Sequence, residues 1–135
     1  MQKRIITFLL LTTVGFLLAA CGGKQPQINI ELVETNWGHV VNGNILSRDV
    51  IVHNDGAAPL VVESVSTSCS CTSAELTPMT IEPGGAGTLH IEFDSGAHGP
   101  DLTGELVRQV FVTSNDPEQP EVTIEFSVVV DPQSS

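Results

Sequence analysis

Positive charge is scarce in this chain. Five Lys and Arg stand against sixteen Asp and Glu in 135 residues. Such a surface repels nucleic acid and anionic lipid head groups, so no nucleic-acid partner is expected. It favours cations and basic partners only weakly. Cysteine is scarce too, with three residues, so at most one bridge can form within the chain. No stretch carries a sustained helical period, which argues against a helical domain. There is no Ser/His/Asp ordering, no phosphate loop and no Asp-rich calcium loop. The carboxylates are scattered over outward-facing positions. A protein that is not an enzyme is expected.

What is present begins at the N-terminus, "MQKRIITFLLLTTVGFLLAACGG". Lys3 and Arg4 form a short basic region, and Ile5 to Ala20 is an uncharged run of sixteen residues. That length is slightly short for a spanning helix and fits a secretory leader. The run ends Leu18-Ala19-Ala20-Cys21, which resembles the bacterial lipoprotein lipobox, in which the cysteine is lipidated and becomes the first mature residue. The alternative is an uncleaved N-terminal anchor. Either way the remaining chain is expected outside the cytoplasm; the lipobox reading holds it on the cell membrane or the outer membrane by its lipid. Residues 1–20 are thus read as a signal peptide, 21–27 as lipidated cysteine and tether, and 28–135 as one domain. Without the leader, Lys24, Arg48 and Arg108 face all sixteen acids, a formal charge of −13. The 108 residues from Ile28 onward suffice for one core and not for two.

In this stretch the apolar residues recur with a period of two. "INIELVE" alternates at Ile28, Ile30 and Leu32. "RDVIVHN" carries Val50 and Val52, with Ile51 on the other face. "GTLHIEFD" alternates at Leu89, Ile91 and Phe93, and "LVRQVFVTSN" puts Leu106, Arg108, Val110 and Val112 on one face. "EVTIEFSVVV" is the cleanest, from Val122 to Val130. Clusters rich in Gly, Asn, Asp and Pro separate these strands. About seven strands in this length predict an antiparallel β-sandwich.

From Trp37 to Val130 the ordered set "WGHVVNG", "VHNDGAAPLVVESVSTSCSCT", "IEPGGAGTLHIEFD" and "VFVTSNDP" is similar to the bacterial domain of unknown function 1573 family (DUF1573). That family usually has Cys-Gly-Cys-Thr where this chain has Ser70 between its cysteines. The resemblance implies an immunoglobulin-like fold related to Hydin and major-sperm-protein type domains. It implies no specific biochemical role.

With Cys21 assigned to lipid, Cys69 and Cys71 are the only remaining thiols. In an extended strand the i and i+2 Cβ atoms are roughly 6–7 Å apart, too far for a disulfide. The backbone must therefore bend there if the two are to bridge. Counting strand directions from the apolar run at 60 places the cysteines at one end of the sandwich. Loop 95–104 with His98 falls at the same end, and so does "GHVVNGN" with His39. Three fates stay open. The pair could be a disulfide in an oxidising compartment. It could hold Cu(I) or Zn(II) with His98, Met79 or His39. It could simply pack as two small hydrophobes. His53 reads as a turn residue, His90 as a solvated strand residue and Trp37 as a core or edge aromatic. The expected role is a lipid-anchored binding or structural module. Its protein partner would dock by strand addition at a sheet edge or on the loops at one end. A copper-handling or thiol-redox protein is the alternative.

Overall fold

The computed structural model describes residues 23–31 and 34–133. The leader, Cys21 and Leu32 lie outside the described residues. Nine strands follow one another: β1 (Ile28–Ile30), β2 (Asn36–Val41), β3 (Ile45–Asn54), β4 (Leu60–Thr67), β5 (Thr72–Thr77), β6 (Thr80–Ile81), β7 (Ala86–Asp94), β8 (Gly104–Ser114) and β9 (Glu121–Asp131). They form two sheets, ordered β1-β3-β7-β5 and β2-β9-β8-β4-β6. Period-two alternation makes this arrangement. Each strand has one apolar face, and the two sheets bury those faces against each other. In β7 every inward residue, Leu89, Ile91 and Phe93, is fully buried while Thr88, His90 and Glu92 are exposed.

The centre of the core is aromatic. Trp37 stacks on Phe126 with centroids 3.7 Å apart, and Phe93 meets Phe126 edge-on at 6.4 Å. Such pairs add about 1 kcal/mol each beyond the area they bury.

The β-sandwich is as expected, and four details differ. The strands among the described residues number nine, where about seven were expected. The pairing is not wholly antiparallel, because β2 runs parallel to β9. "GHVV" is part of β2, not loop. The alternation of β2 is broken at Gly38, whose φ of +78° lies at a register shift between Asn36 and His39; this left-handed conformation suits glycine. His53 likewise belongs to β3, paired opposite Asn29 and Ala86, and is not a turn residue.

Two buried polar side chains fasten the ends. Asn54 is fully buried. Its Nδ2 donates to the carbonyls of Ala58 and Ile81, and its Oδ1 accepts from the N–H groups of Gln27 and Gly56. All four valences of the amide are thereby used. Gly56 is required beside it, since a Cβ would stand 2.4 Å from the Gln25 carbonyl oxygen. At the other end the Asn42 Nδ2 donates to the carbonyls of Gly99 and Leu102. Asn42 thus pins the β7–β8 loop, residues 95–103, to the turn after β2.

Candidate functional site around Cys69 and Cys71

β4 lies in one sheet and β5 in the other, so the chain must cross the sandwich between Thr67 and Thr72. The cysteines occupy that crossover. Ser68 N donates to Gln109 O on β8, and Asp94 N donates to Cys71 O from β7. Thr72 N turns back to Cys69 O at 3.3 Å. The bend brings the two Cα atoms to 5.3 Å, and Cys69 and Cys71 form a disulfide. Of the three fates open in the sequence, this geometry takes the first. It combines with part of the third, since Cys71 is only 1% exposed and packs in the core. Cys69 is half-buried.

His98 comes from the β7–β8 loop, as the strand count requires. One of its ring nitrogens and both sulfurs lie within 4.8 Å of one another. This is the cluster of three possible soft-ion ligands that the sequence suggested. His39 and Met79 do not join it. The ring of His39 is held by Asp131 at 3.1 Å on the edge strand β2. Three strand spacings, about 14 Å, separate that strand from β4. Met79 O accepts from Val62 N, and Leu60 pairs with Ile81. These contacts fix Met79 beside the start of β4, away from the cysteine end. His53 contacts Glu31 at 3.0 Å. His90 is exposed between Asp49 and Glu92, whose hydrogen bonds, Asp49 first, raise its pKa.

Two further residues complete the site, and neither was assigned from sequence. The Thr72 Oγ1 lies 3.6 Å from Cys69 Sγ and 3.8 Å from Cys71 Sγ, so its hydroxyl can donate to either sulfur. Arg108 Nε donates to Cys71 Sγ at 3.0 Å. Its guanidinium is held in place by a second bond, from Nη1 to Val107 O at 2.8 Å, and lies 5.9 Å from the centre of the Phe93 ring. Among the described residues no carboxylate forms an ion pair with it. The signal was present in the sequence: Arg108 shares the inward phase of Leu106, Val110 and Val112. Beside Cys71 opens a shallow groove of about 240 Å³ lined by Ile45, Ser70, Ser73, Glu92 and Asp94.

The family model of proteins of unknown function DUF1573 matches residues 28–130. The chain belongs to the DUF1573 family. A search of curated proteins returns no match. Among solved structures, a protein of unknown function from Porphyromonas gingivalis W83 is 21% identical with a TM-score of 0.66, covering 82% of this chain and 50% of that one. The Vibrio cholerae VesB protease is 14% identical with a TM-score of 0.57, covering 78% of this chain and 32% of that one. The ASH/PapD-like domain of human CEP192 is 12% identical with a TM-score of 0.52, covering 91% and 97%. The chain thus spans half the length of the Porphyromonas protein and about a third of VesB. At these identities the likenesses show the fold alone, an immunoglobulin-like β-sandwich.

Proposed function

We propose that this DUF1573 protein is an extracytoplasmic, lipid-anchored binding module, tethered through Cys21, that takes up an extended segment of a protein partner along β5. One observation carries the reading: among the described residues β5 has β7 on one side and no strand on the other. The bond from Asp94 N to Cys71 O sets the hydrogen-bond phase of the β5–β7 ladder. In an antiparallel pair such bonds recur at every second residue. Ser73, Glu75 and Thr77 therefore bond to β7, and the main-chain groups of Ala74 and Leu76 face the open edge. An open edge of this kind is a template for strand addition. The acidic composition favours a segment carrying basic side chains.

The test is a photo-crosslinking residue at Glu75 in the anchored full-length chain. It is expected to capture a partner in the envelope fraction. Ala74→Pro removes one edge donor at a position where the sheet tolerates proline, so the capture is lost while the thermal midpoint stays. Cys21→Ser moves the chain out of the membrane fraction. Undiminished capture by Ala74→Pro rejects strand addition at β5.

A second reading, thiol–disulfide chemistry at Cys69 and Cys71, is favoured by one specific observation, the Arg108 bond to Cys71. A guanidinium nitrogen 3.0 Å from the sulfur supplies positive charge where a metal cation would have to sit. That contact favours redox chemistry over Cu(I) or Zn(II) binding.

A further inference from the structure

The bridge between Cys69 and Cys71 is chemically lopsided. Cys71 is only 1% exposed, at the floor of the groove, and its Sγ receives a hydrogen bond from Arg108. Cys69 is the more exposed residue of the two, and its Sγ lies within 4.8 Å of a ring nitrogen of the exposed His98. We propose that this is a directional thiol–disulfide exchange site: Cys69 is the sulfur attacked by a partner dithiol, and Cys71 is the leaving thiolate, stabilised by Arg108. The inference deepens the second reading and is independent of docking along β5.

The step balances as follows. A thiol of the partner gives its proton to the His98 imidazole, and the resulting thiolate attacks Cys69 Sγ. A new bond forms between the partner sulfur and Cys69 Sγ. The Cys69–Cys71 bond breaks, and its electron pair leaves on Cys71 Sγ. The partner's second thiol then attacks the partner's own sulfur in the mixed disulfide, and its proton passes to the Cys69 sulfur that it expels. The partner dithiol has become a disulfide, and the pair here has been reduced by two electrons. Attack requires the nucleophile in line with the breaking bond, so access decides which sulfur is hit. A thiolate next to a guanidinium is the better leaving group, because the charge that develops meets a donor already in place.

The direction of net chemistry follows from the same contact. Arg108 interacts with a thiolate more strongly than with a neutral disulfide sulfur, so it favours the reduced state. That makes the bridge an oxidant of partner thiols. Arg108 can act this way because its charge is not taken up by a carboxylate. Glu92 and Asp94, which border the groove beside Cys71, favour a thiol whose neighbours are basic. The substrate class is thus a dithiol on a peptide or protein with positive flanking residues.

The experiment uses the oxidised full-length chain in detergent. It is treated with glutathione, quenched in acid and mapped by mass spectrometry. Dithiothreitol reduction is timed in parallel. The adduct is expected on Cys69, and reduction is expected without denaturant. Arg108→Met keeps the length of the side chain and removes the charge. Losing one charge-assisted hydrogen bond to the leaving group should slow reduction by about tenfold or more, and Arg108→Lys should recover part of the rate. His98→Ala should slow formation of the adduct without moving it from Cys69. An adduct on Cys71 overturns the proposal. So does a bridge that reductant reaches only after unfolding, or a folded Arg108→Met variant reduced as fast as wild type. If Arg108→Met does not fold, the position of the adduct on the wild-type chain still decides.

Discussion

Burial alone would push the pKa of Asp116 up, since the residue is only 2% exposed. Three backbone N–H groups outweigh it: Ile28 at 2.8 Å, Glu118 at 2.8 Å and Gln119 at 3.1 Å all donate to its carboxylate. The net effect holds its pKa below the ordinary carboxylate value. This one side chain closes the turn before β9 and fastens the start of β1, two segments 88 residues apart in sequence. A carboxyl whose folded-state pKa is depressed stabilises the fold above its unfolded pKa. That contribution is lost as the pH falls below the ordinary value, because the unfolded chain takes up the proton first. Asp116→Asn, which turns an acceptor into a donor facing other donors, should cost about 1–3 kcal/mol at neutral pH. It should also flatten the acid limb of the stability curve. Urea midpoints measured at neutral and acidic pH check both. Parallel acid losses in wild type and variant would show that another group controls this limb.

Among the elements, β9 carries the longest alternating apolar series. Ile124, Phe126, Val128 and Val130 are buried, while Glu125 is exposed and accepts from Gln109 Nε2. Phe126→Asp would bury an unpaired charge between Trp37 and Phe93 and should leave the domain unfolded. Glu125→Lys should shift stability by no more than about 0.5 kcal/mol, as at other exposed sites. Circular dichroism and thermal melts of the two variants test the register, and equal effects would mean that β9 is placed wrongly. The strands legible in sequence were those with an apolar face or run against the opposing sheet: β1, β3, β4, β7, β8 and β9. β5 was not, because this short edge strand is largely polar and only Ala74 and Leu76 mark its inner face as apolar. β2 was hidden by its bulge at Gly38. At the site, the end of the sandwich and the meeting of Cys69, Cys71 and His98 followed from counting strand directions. The exclusion of His39 and Met79 did not. It depends on which sheet holds β2 and on how β6 pairs with β4, and a period of two encodes neither. Arg108 stood visibly in an apolar phase, but only the crossover of β4 into β5 brings Cys71 to it.

For the molecule as a whole, the question is whether a bridge that opens and closes can sit in the frame that holds the fold. A disulfide stabilises chiefly by shortening the unfolded chain's freedom, and the gain grows with the loop it closes. Here the sequence separation is 2, so only three residues are enclosed. The chain-entropy relation gives about 1.5 kcal/mol for so small a ring. The aromatic stack of Trp37, Phe126 and Phe93 involves neither sulfur, and Cys71 is one of many buried hydrophobic residues in the core. Reduction should therefore leave the sandwich folded and lower the thermal midpoint by roughly 10 °C or less, as expected for a domain of about 100 residues. Calorimetry of the full-length chain with and without reductant measures this directly, and far-ultraviolet dichroism of the reduced chain should keep its strand signal. Collapse of the fold on reduction would mean that the bridge acts as a structural staple, and cycling between oxidation states would then destroy the site that performs it. A small midpoint shift would show that redox change at the crossover and the integrity of the core are separable, as an exchange site built on this scaffold requires.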